Sequence, residues 1–481
     1  MTNAASGQTV YLETFGCQMN VLDSELVLGE LRAAGYTPVD AADEADLVLI
    51  NTCSVRQRAE EKVHSRLGEL NRCKQQRPDM MIGVIGCMAE RDAEGIRQRA
   101  PHVDVLCGPG ELGSLLALID QARSGDRPAV AVTRDWSRRE PAARRARDDG
   151  LEALDRSRRP DRAGSPAQAY IRVQRGCDKF CSYCVVPFVR GPERSRPPDH
   201  VVEEARRLAD AGVVEITLLG QSINSYAYEM GDRVVRLPDL LVQVHDVPGI
   251  RRLRFVTSFP GDFDASILRA MRDLPNVCEY LHLPAQSGSD RILSAMRRDH
   301  TVDHYNALVD QARRIVPGIT LAGDFIVGFS GETEADHQAS CELIRRTRYK
   351  NIFVFKYSPR PGTVADRNLP DDVPMDVKRR RNHELLAIQA EIAAAHNQTM
   401  IGQRVEVLVE GYSKAAVKAR QPGRPASDRS DWRSEHQFVG RTGGDQIVVF
   451  DGDADLIGRL VTVEIASATD LTLHGRAYET S

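Results

Sequence analysis

Three apolar runs in the first third of the chain have the length and bounding turns of strands: residues 10–15, 46–50 and 80–85. The first leads into Gly16-Cys17, the second into Asn51-Thr52-Cys53 and the third into Gly86-Cys87. Between the first two, apolar residues recur at Leu26, Leu28 and Leu31, a helical pattern opened by Ser24 as N-cap and stopped by Gly35. Strand, helix, strand in repeated order predicts a parallel α/β sheet with right-handed crossovers. A fourth run, residues 103–106, also ends in a cysteine, Cys107.

The pattern repeats further on. Runs at 169–173, 214–219, 253–257, 279–283, 321–327 and 352–357 alternate with amphipathic stretches such as 198–211, which predicts a partial (βα)6 barrel with its site at the carboxyl ends of the strands. Beyond residue 396 the period changes to two. Runs at 404–410, 446–450 and 460–465, separated by Gly443-Gly444-Asp445 and Asp451-Gly452-Asp453, predict a small antiparallel β-barrel. The stretch after residue 133 is rich in arginine and acidic residues and poor in large apolar groups, and reads as a solvated connector with one helical turn. The expected domains are therefore 8–133, a linker at 134–162, 163–395 and 396–480.

Composition narrows the picture. Apolar residues make up 42 % of the 481, enough for ordinary cores, and the net charge of −4 means that any RNA-binding surface is local. Residues 413–441 offer one, with Lys414, Lys418, Arg420, Arg424, Arg429, Arg433 and Arg441 around Trp432; the same composition suits a solvated loop. No run approaches the ~18 apolar residues of a membrane span, and the polar N-terminus lacks the apolar core of a secretory signal. Ten cysteines in such a chain are expected reduced, in a cytoplasmic protein, with metal or catalytic roles ahead of disulfides.

The densest chemistry is Gly176-Cys-Asp-Lys-Phe-Cys-Ser-Tyr-Cys184, just after the first barrel strand. Cys177, Cys181 and Cys184 can hold one metal centre from one loop. Structural zinc takes four Cys or His ligands, and no Cys or His follows within ten residues, so a zinc knuckle needs a distant fourth ligand. A [4Fe–4S] cube held by three thiolates keeps one iron open. That iron can chelate S-adenosylmethionine and pass it an electron, cleaving the sulfonium to a 5′-deoxyadenosyl radical. The other trio makes a similar case. In an open parallel sheet ligands gather beyond the carboxyl ends of the strands, where Cys17, Cys53 and Cys87, 36 and 34 residues apart, would converge. Burial of three structural thiols is the plainer alternative. Cys107 is a fourth ligand or a spare; Cys73, Cys278 and Cys341 are expected to be structural.

Polar or glycine-bearing segments follow the later barrel strands. Tyr183 in the loop, Gln221, Ser258, Gln286, Ser287 and Gly328 are the candidates for contacting S-adenosylmethionine. Arg190, Arg194 and Arg196 could meet phosphate or the cofactor carboxylate, or form structural ion pairs.

Together, Thr14 to Asn20, Asn51 to Arg56, Gly86 to Arg91, Arg175 to Arg196 and Tyr357 to Thr363 resemble the methylthiotransferase family of radical S-adenosylmethionine enzymes, over essentially the whole chain. The end, with Gly440-Arg441-Thr442, is similar to the RNA-binding TRAM domain. Ser330 departs from the family's usual Pro, and the insertion at 414–435 is unusually long.

The resemblance implies two [4Fe–4S] clusters: one on Cys177, Cys181 and Cys184 that reduces S-adenosylmethionine, and a sulfur-donating one on Cys17, Cys53 and Cys87. It implies transfer of a methylthio group, and Gln18-Met19-Asn20 points to C2 of N6-dimethylallyladenosine at position 37 of the tRNA anticodon stem-loop. The alternatives are threonylcarbamoyl-adenosine in tRNA, a ribosomal-protein aspartate and, more remotely, a zinc-stabilised RNA-binding protein without catalysis. An electron donor such as flavodoxin or ferredoxin, a sulfur donor and a monomeric state complete the expectation.

Overall fold

Strands at 47–52 and 81–86 are buried at every position, which is why they read as unbroken apolar runs: a parallel sheet is covered by helices on both faces. A computed structural model describes residues 7–54, 57–133, 141–158, 167–420 and 436–478. It divides into two units, one of Met1–Asp161, Tyr170–Glu204 and Leu219–Gln221, the other of Arg162–Ala169, Ala205–Leu218 and Ser222–Ser481.

The first unit begins with β1 (Thr9–Phe15), α1 (Gln18–Ala33), β2 (Thr37–Pro38), β3 (Leu47–Thr52), α2 (Gln57–Gln76), β4 (Met81–Gly86), α3 (Cys87–Arg99), β5 (Val105–Cys107), α4 (Leu115–Arg123) and β6 (Ala129–Ala131). The strand order is β2-β1-β3-β4-β5-β6, parallel throughout. The expected parallel sheet is present, widened by two short edge strands that carried too little apolar sequence to register. In β1, β3 and β4 the last residues are in line: Phe15 pairs with Thr52 and Thr52 with Gly86.

The supposed linker is a correction. Residues Pro141–Ser157 form the helix α5, with Leu151, Leu154 and Asp155 buried. Its charges looked solvated because their partners lie elsewhere in the sequence. Next come β7 (Gln168–Arg172), β8 (Gln174–Arg175), α6 (Val186–Arg190), β9 (Arg194–Ser195) and α7 (Pro198–Asp210). In the first unit, Arg172 binds Asp155 at 2.7 Å and Asp23 of α1 at 2.5 Å. Arg175 also pairs with Asp155, and with Glu152 at 3.3 Å. Arg196 reaches Glu152 at 2.9 Å and Glu204 at 2.8 Å.

The second unit holds β10 (Glu215–Leu219) up to Leu218, the hairpin β11 (Ala227–Met230) and β12 (Arg233–Arg236), α8 (Leu237–His245), β13 (Arg252–Val256), α9 (Ala265–Asp273), β14 (Tyr280–His282), α10 (Asp290–Ala295), α11 (Val302–Ile315), β15 (Thr320–Val327), α12 (Glu334–Thr347), β16 (Asn351–Lys356), α13 (Val364–Asn368) and α14 (Met375–Gln398). Amides of Val214 and Glu215 bond to Ala167, that of Arg252 to Val214 and that of Cys278 to Leu253. With β14-β15-β16 parallel, the expected partial barrel is present. The β11–β12 hairpin was not anticipated.

The chain ends in β17 (Arg404–Tyr412), α15 (Lys414–Ala419), β18 (Gln437–Thr442), β19 (Ile447–Asp451), β20 (Leu460–Ala468) and β21 (Thr472–Ala477), a closed barrel in the order β17-β18-β19-β21-β20. It is not wholly antiparallel: β19 and β21 run parallel. Five strands cannot alternate direction around a closed ring, so one parallel seam is unavoidable. Of the basic insertion, Arg424, Arg429, Trp432 and Arg433 lie outside the described residues.

Burial pushes the Asp155 carboxyl up, but the guanidiniums of Arg172, Arg196 and Arg175 outweigh it and hold the group well below the usual aspartate range. D155N leaves those arginines short of a charge partner and is expected to destabilise the first unit by about 3–5 kcal/mol. A folded-state pKa below the unfolded one gives stability that is present above the unfolded value, about 3.9, and is lost as pH falls through the folded one. Urea unfolding of D155N and parent should show a constant gap from neutral pH down to about 5, closing only in stronger acid.

Candidate metal centre

The aligned strand ends deliver three cysteines to one place. Cys17 N-caps α1, Cys53 follows β3, and Cys87 opens α3. Two buried asparagines hold the ends together. Asn20 Nδ2 donates to Asn51 Oδ1 at 2.8 Å and to the Thr52 carbonyl at 3.0 Å; Asn51 Nδ2 donates to the Asn20 carbonyl at 2.8 Å. Thr52 Oγ1 donates to Ile85 O at 2.7 Å, tying β3 to β4. Space is tight. At Gly86, with φ of +93°, a Cβ would lie 2.4 Å from Asn51 Oδ1 and 2.6 Å from Thr52 O. At Gly16 the demand is proximity alone: a Cβ would come within 2.7 Å of Asn20 Oδ1.

The thiols interact. The Cys17 thiol is brought down to about 5, first by a hydrogen bond with Cys53 and then, against its burial, by the Arg190 charge and the Asn20 and Met19 amides. Burial pushes Cys87 up while the Arg190 charge pulls the other way. A thiolate-stabilising cation beside three clustered thiols suits a metal, which deprotonates coordinating thiols outright. Cys107 does not fit. It pairs in register with Ile85, two residues short of Cys87, and burial beside Glu111 and Glu90 drives its thiol well above the ordinary value.

The C-x3-C-x2-C loop is fixed at its base. Gln174 pairs with Ser195 and Arg175 with Arg194, antiparallel. Gly176 turns at φ of +68°, where a Cβ would lie 2.0 Å from Pro192 O. The Cys177 amide donates to Gly191 O and that of Cys184 to Cys181 O, both at 3.0 Å. Cys177 and Cys181 are buried and Cys184 is partly exposed. Cys87 packs against Val185 and Val189, just past Cys184, so the segment after the loop meets one strand-end cysteine within the first unit. A cleft runs past Met19 and Gly176, with Arg172, Arg175, Arg190 and Arg194 on its walls. The donor sets, three thiols each with no His or carboxylate among them, fit two iron–sulfur clusters.

Of the loop arginines, Arg190 and Arg196 form structural ion pairs, Arg190 with Asp23 at 2.9 Å; Arg194 lies 3.7 Å from Asp148. Tyr183 stays in the loop and Gln221 follows β10, both half-buried. In the second unit Ser258 is buried with an unpartnered hydroxyl, a free donor. Gln286, at φ of +73°, is engaged through its backbone with Asp324 and Ile326. Ser287 accepts the Ser289 amide at 3.2 Å, and the Gly328 amide is bound by Glu332 at 2.5 Å. Sequence reasoning passed over Asp23 and the pairing of Asn20 with Asn51; polar residues next to cysteines at strand ends were the available signal.

Comparison with known proteins decides the family. The chain is 47 % identical over 472 residues, 98 % of its length and 95 % of the relative's, to the tRNA-2-methylthio-N(6)-dimethylallyladenosine synthase of Rhodopirellula baltica. It is 41 % identical to the one of Moorella thermoacetica, over 98 % and 99 % of the two chains.

The chain belongs to this family.

Residues 171–344 match the Radical SAM superfamily, 427–478 the TRAM domain and 9–108 a family described only as uncharacterised, UPF0004. A radical S-adenosylmethionine methyltransferase, TsrM from Kitasatospora setae, shares the fold with a TM-score of 0.51 at 15 % identity, over 75 % of this chain and 77 % of that one. No described helix is long and apolar enough to cross a membrane.

G86A forces a β-carbon into the Asn51 and Thr52 contacts at a left-handed φ, a strain of about 1–3 kcal/mol before any clash. With Cys177, Cys181 and Cys184 replaced by alanine, so that only the strand-end trio remains, G86A is expected to cut bound iron by half or more in anaerobic reconstitution. Undiminished iron would show that the trio does not need this backbone path.

Proposed function

We propose that the chain adds a methylthio group to C2 of N6-dimethylallyladenosine in tRNA, as the names of its relatives describe, and that it does so at position 37, in the cytoplasm and as a monomer. The observation that carries this is the gathering of two three-cysteine sets in one unit, one on a C-x3-C-x2-C loop and one on three aligned strand ends. Cys177, Cys181 and Cys184 hold one [4Fe–4S] cluster, and Cys17, Cys53 and Cys87 hold the other. When bound, the clusters supply the electron that cleaves S-adenosylmethionine and the sulfur that is inserted.

The chain's own part is placement. The β8–β9 hairpin fixes the loop, the Asn20–Asn51 pair fixes the strand ends, and Cys53, Cys87, Cys177 and Cys181 are buried. Ser258, Gln286, Ser287 and Gly328, with Tyr183 and Gln221, are assigned to S-adenosylmethionine; the buried free hydroxyl of Ser258 is the best-supported of them. The anticodon stem-loop, a flavodoxin- or ferredoxin-type reductant and a sulfur donor are the partners this chemistry needs.

Anaerobically purified protein is expected to be brown, with about eight iron and eight sulfide per chain. Replacing Cys177, Cys181 and Cys184 with alanine should abolish S-adenosylmethionine cleavage and leave about half the iron. Replacing Cys17, Cys53 and Cys87 should spare cleavage but yield no methylthio nucleoside by mass spectrometry of hypomodified tRNA. Zinc alone in the anaerobic protein, or cleavage that survives loss of the loop cysteines, refutes the assignment.

A further inference from the structure

Arg190 ends α6, six residues past Cys184, yet its partner lies on α1, the helix that follows Cys17. One nitrogen, Nη2, binds Asp23 Oδ2 at 2.9 Å. Asp23 is itself fully buried and shared with Arg172 at 2.5 Å. Val189, the residue before Arg190, packs against Cys87, and the guanidinium charge acts on both Cys87 and Cys17. A guanidinium has five N–H donors in a fixed plane, so one edge can face a carboxylate while another faces sulfur. Burying such a cation is costly unless its charge is matched. Asp23 is shared between Arg172 and Arg190, so part of the guanidinium charge is left to face the cysteine sulfurs.

We infer that Arg190, clamped by Asp23, is a positioning residue of the strand-end site that donates to the Cys87 thiolate and raises the reduction potential of the cluster held there. The inference rests on the two-cluster reading. A cube on three thiolates carries a formal charge of about −1 oxidised and −2 reduced. A fixed cation at its edge favours the more negative, reduced state, and hydrogen bonds to ligand sulfur act in the same direction. Arg190 also ties the segment that follows the loop cysteines to the helix that begins at Cys17. The same side chain thus sets both the charge at one trio and its nearness to the other.

The test uses the full-length chain with Cys177, Cys181 and Cys184 replaced by alanine, reconstituted anaerobically and titrated by EPR. In that background R190Q is expected to lower the equilibrium constant for one-electron reduction at least tenfold, equivalent to 59 mV, with iron held at about four per chain. R190K, which keeps the charge, should stay within tenfold of the parent. An R190Q cluster that titrates like the parent, or an R190K cluster displaced as far as R190Q, overturns the inference. If R190Q takes up no iron, R190K decides: restored iron supports a role for the charge, and an empty R190K refutes it. A parent background without iron instead removes the two-cluster reading, and the parent's iron count separates that failure from a failure at Arg190.

Discussion

The first unit depends on the neutralisation of buried arginines. Arg172, Arg175, Arg190 and Arg196 all come from the 25 residues that carry the cysteine loop, and all are largely buried. Their partners, Asp23, Glu152, Asp155 and Glu204, come from α1, α5 and α7. Each unmatched ion would cost several kcal/mol, so the loop has one acceptable seat. Apolar side chains can replace such a network without loss of stability, so what the pairs add is register: a hydrophobic contact tolerates a slide that these pairs do not.

Register is also what makes the strand-end trio possible. Parallel strands with aligned last residues place the following side chains side by side, which no single loop could do with ligands 36 and 34 residues apart. The cost is crowding. Cys17, Cys53 and Cys87 can approach only because Gly16 and Gly86 lack a Cβ and because the neighbouring amides are Asn20 and Asn51, whose donors and acceptors satisfy one another. These contacts are all made by the protein's own groups.

Most of this architecture was legible because its signals are local. Unbroken apolar runs announced β3, β4 and the barrel strands, and each expected cysteine lies where its strand ends. What escaped has a common cause. α5 was read as a solvated linker because Glu152 and Asp155 look like surface charges until Arg172, Arg175 and Arg196 are seen beside them. Strands β2 and β6, of two and three residues, are held by their neighbours' backbone rather than by their own composition. Strands β18 and β21 were hidden by glycines, Gly440 and Gly475, which are needed because a Cβ at either would press on the backbone of the next strand, at 2.2 and 2.4 Å.

The same lesson bears on charge in the C-terminal barrel. A count of basic residues overstates what it can offer to a polyanion, because several cations are already committed within the second unit. Arg252 and Arg254, from the start of β13, donate to the carbonyls of Arg441, Glu406, Gly443 and Thr442. Lys350 pairs with Asp445 at 2.9 Å, and Arg441 with Glu410 and Asp445, each at 3.0 Å. These contacts meet the amino-terminal ends of the barrel strands: Thr320, at the start of β15, donates to Gly444 at 2.9 Å. Arg441, which the sequence pattern grouped with the RNA-facing bases, is thus part of the joint that fastens this barrel. Arg404 stacked on Tyr478 and Arg420 on Tyr412, each at 3.8 Å, keep cations beside aromatic faces, the pairing that suits an unstacked base.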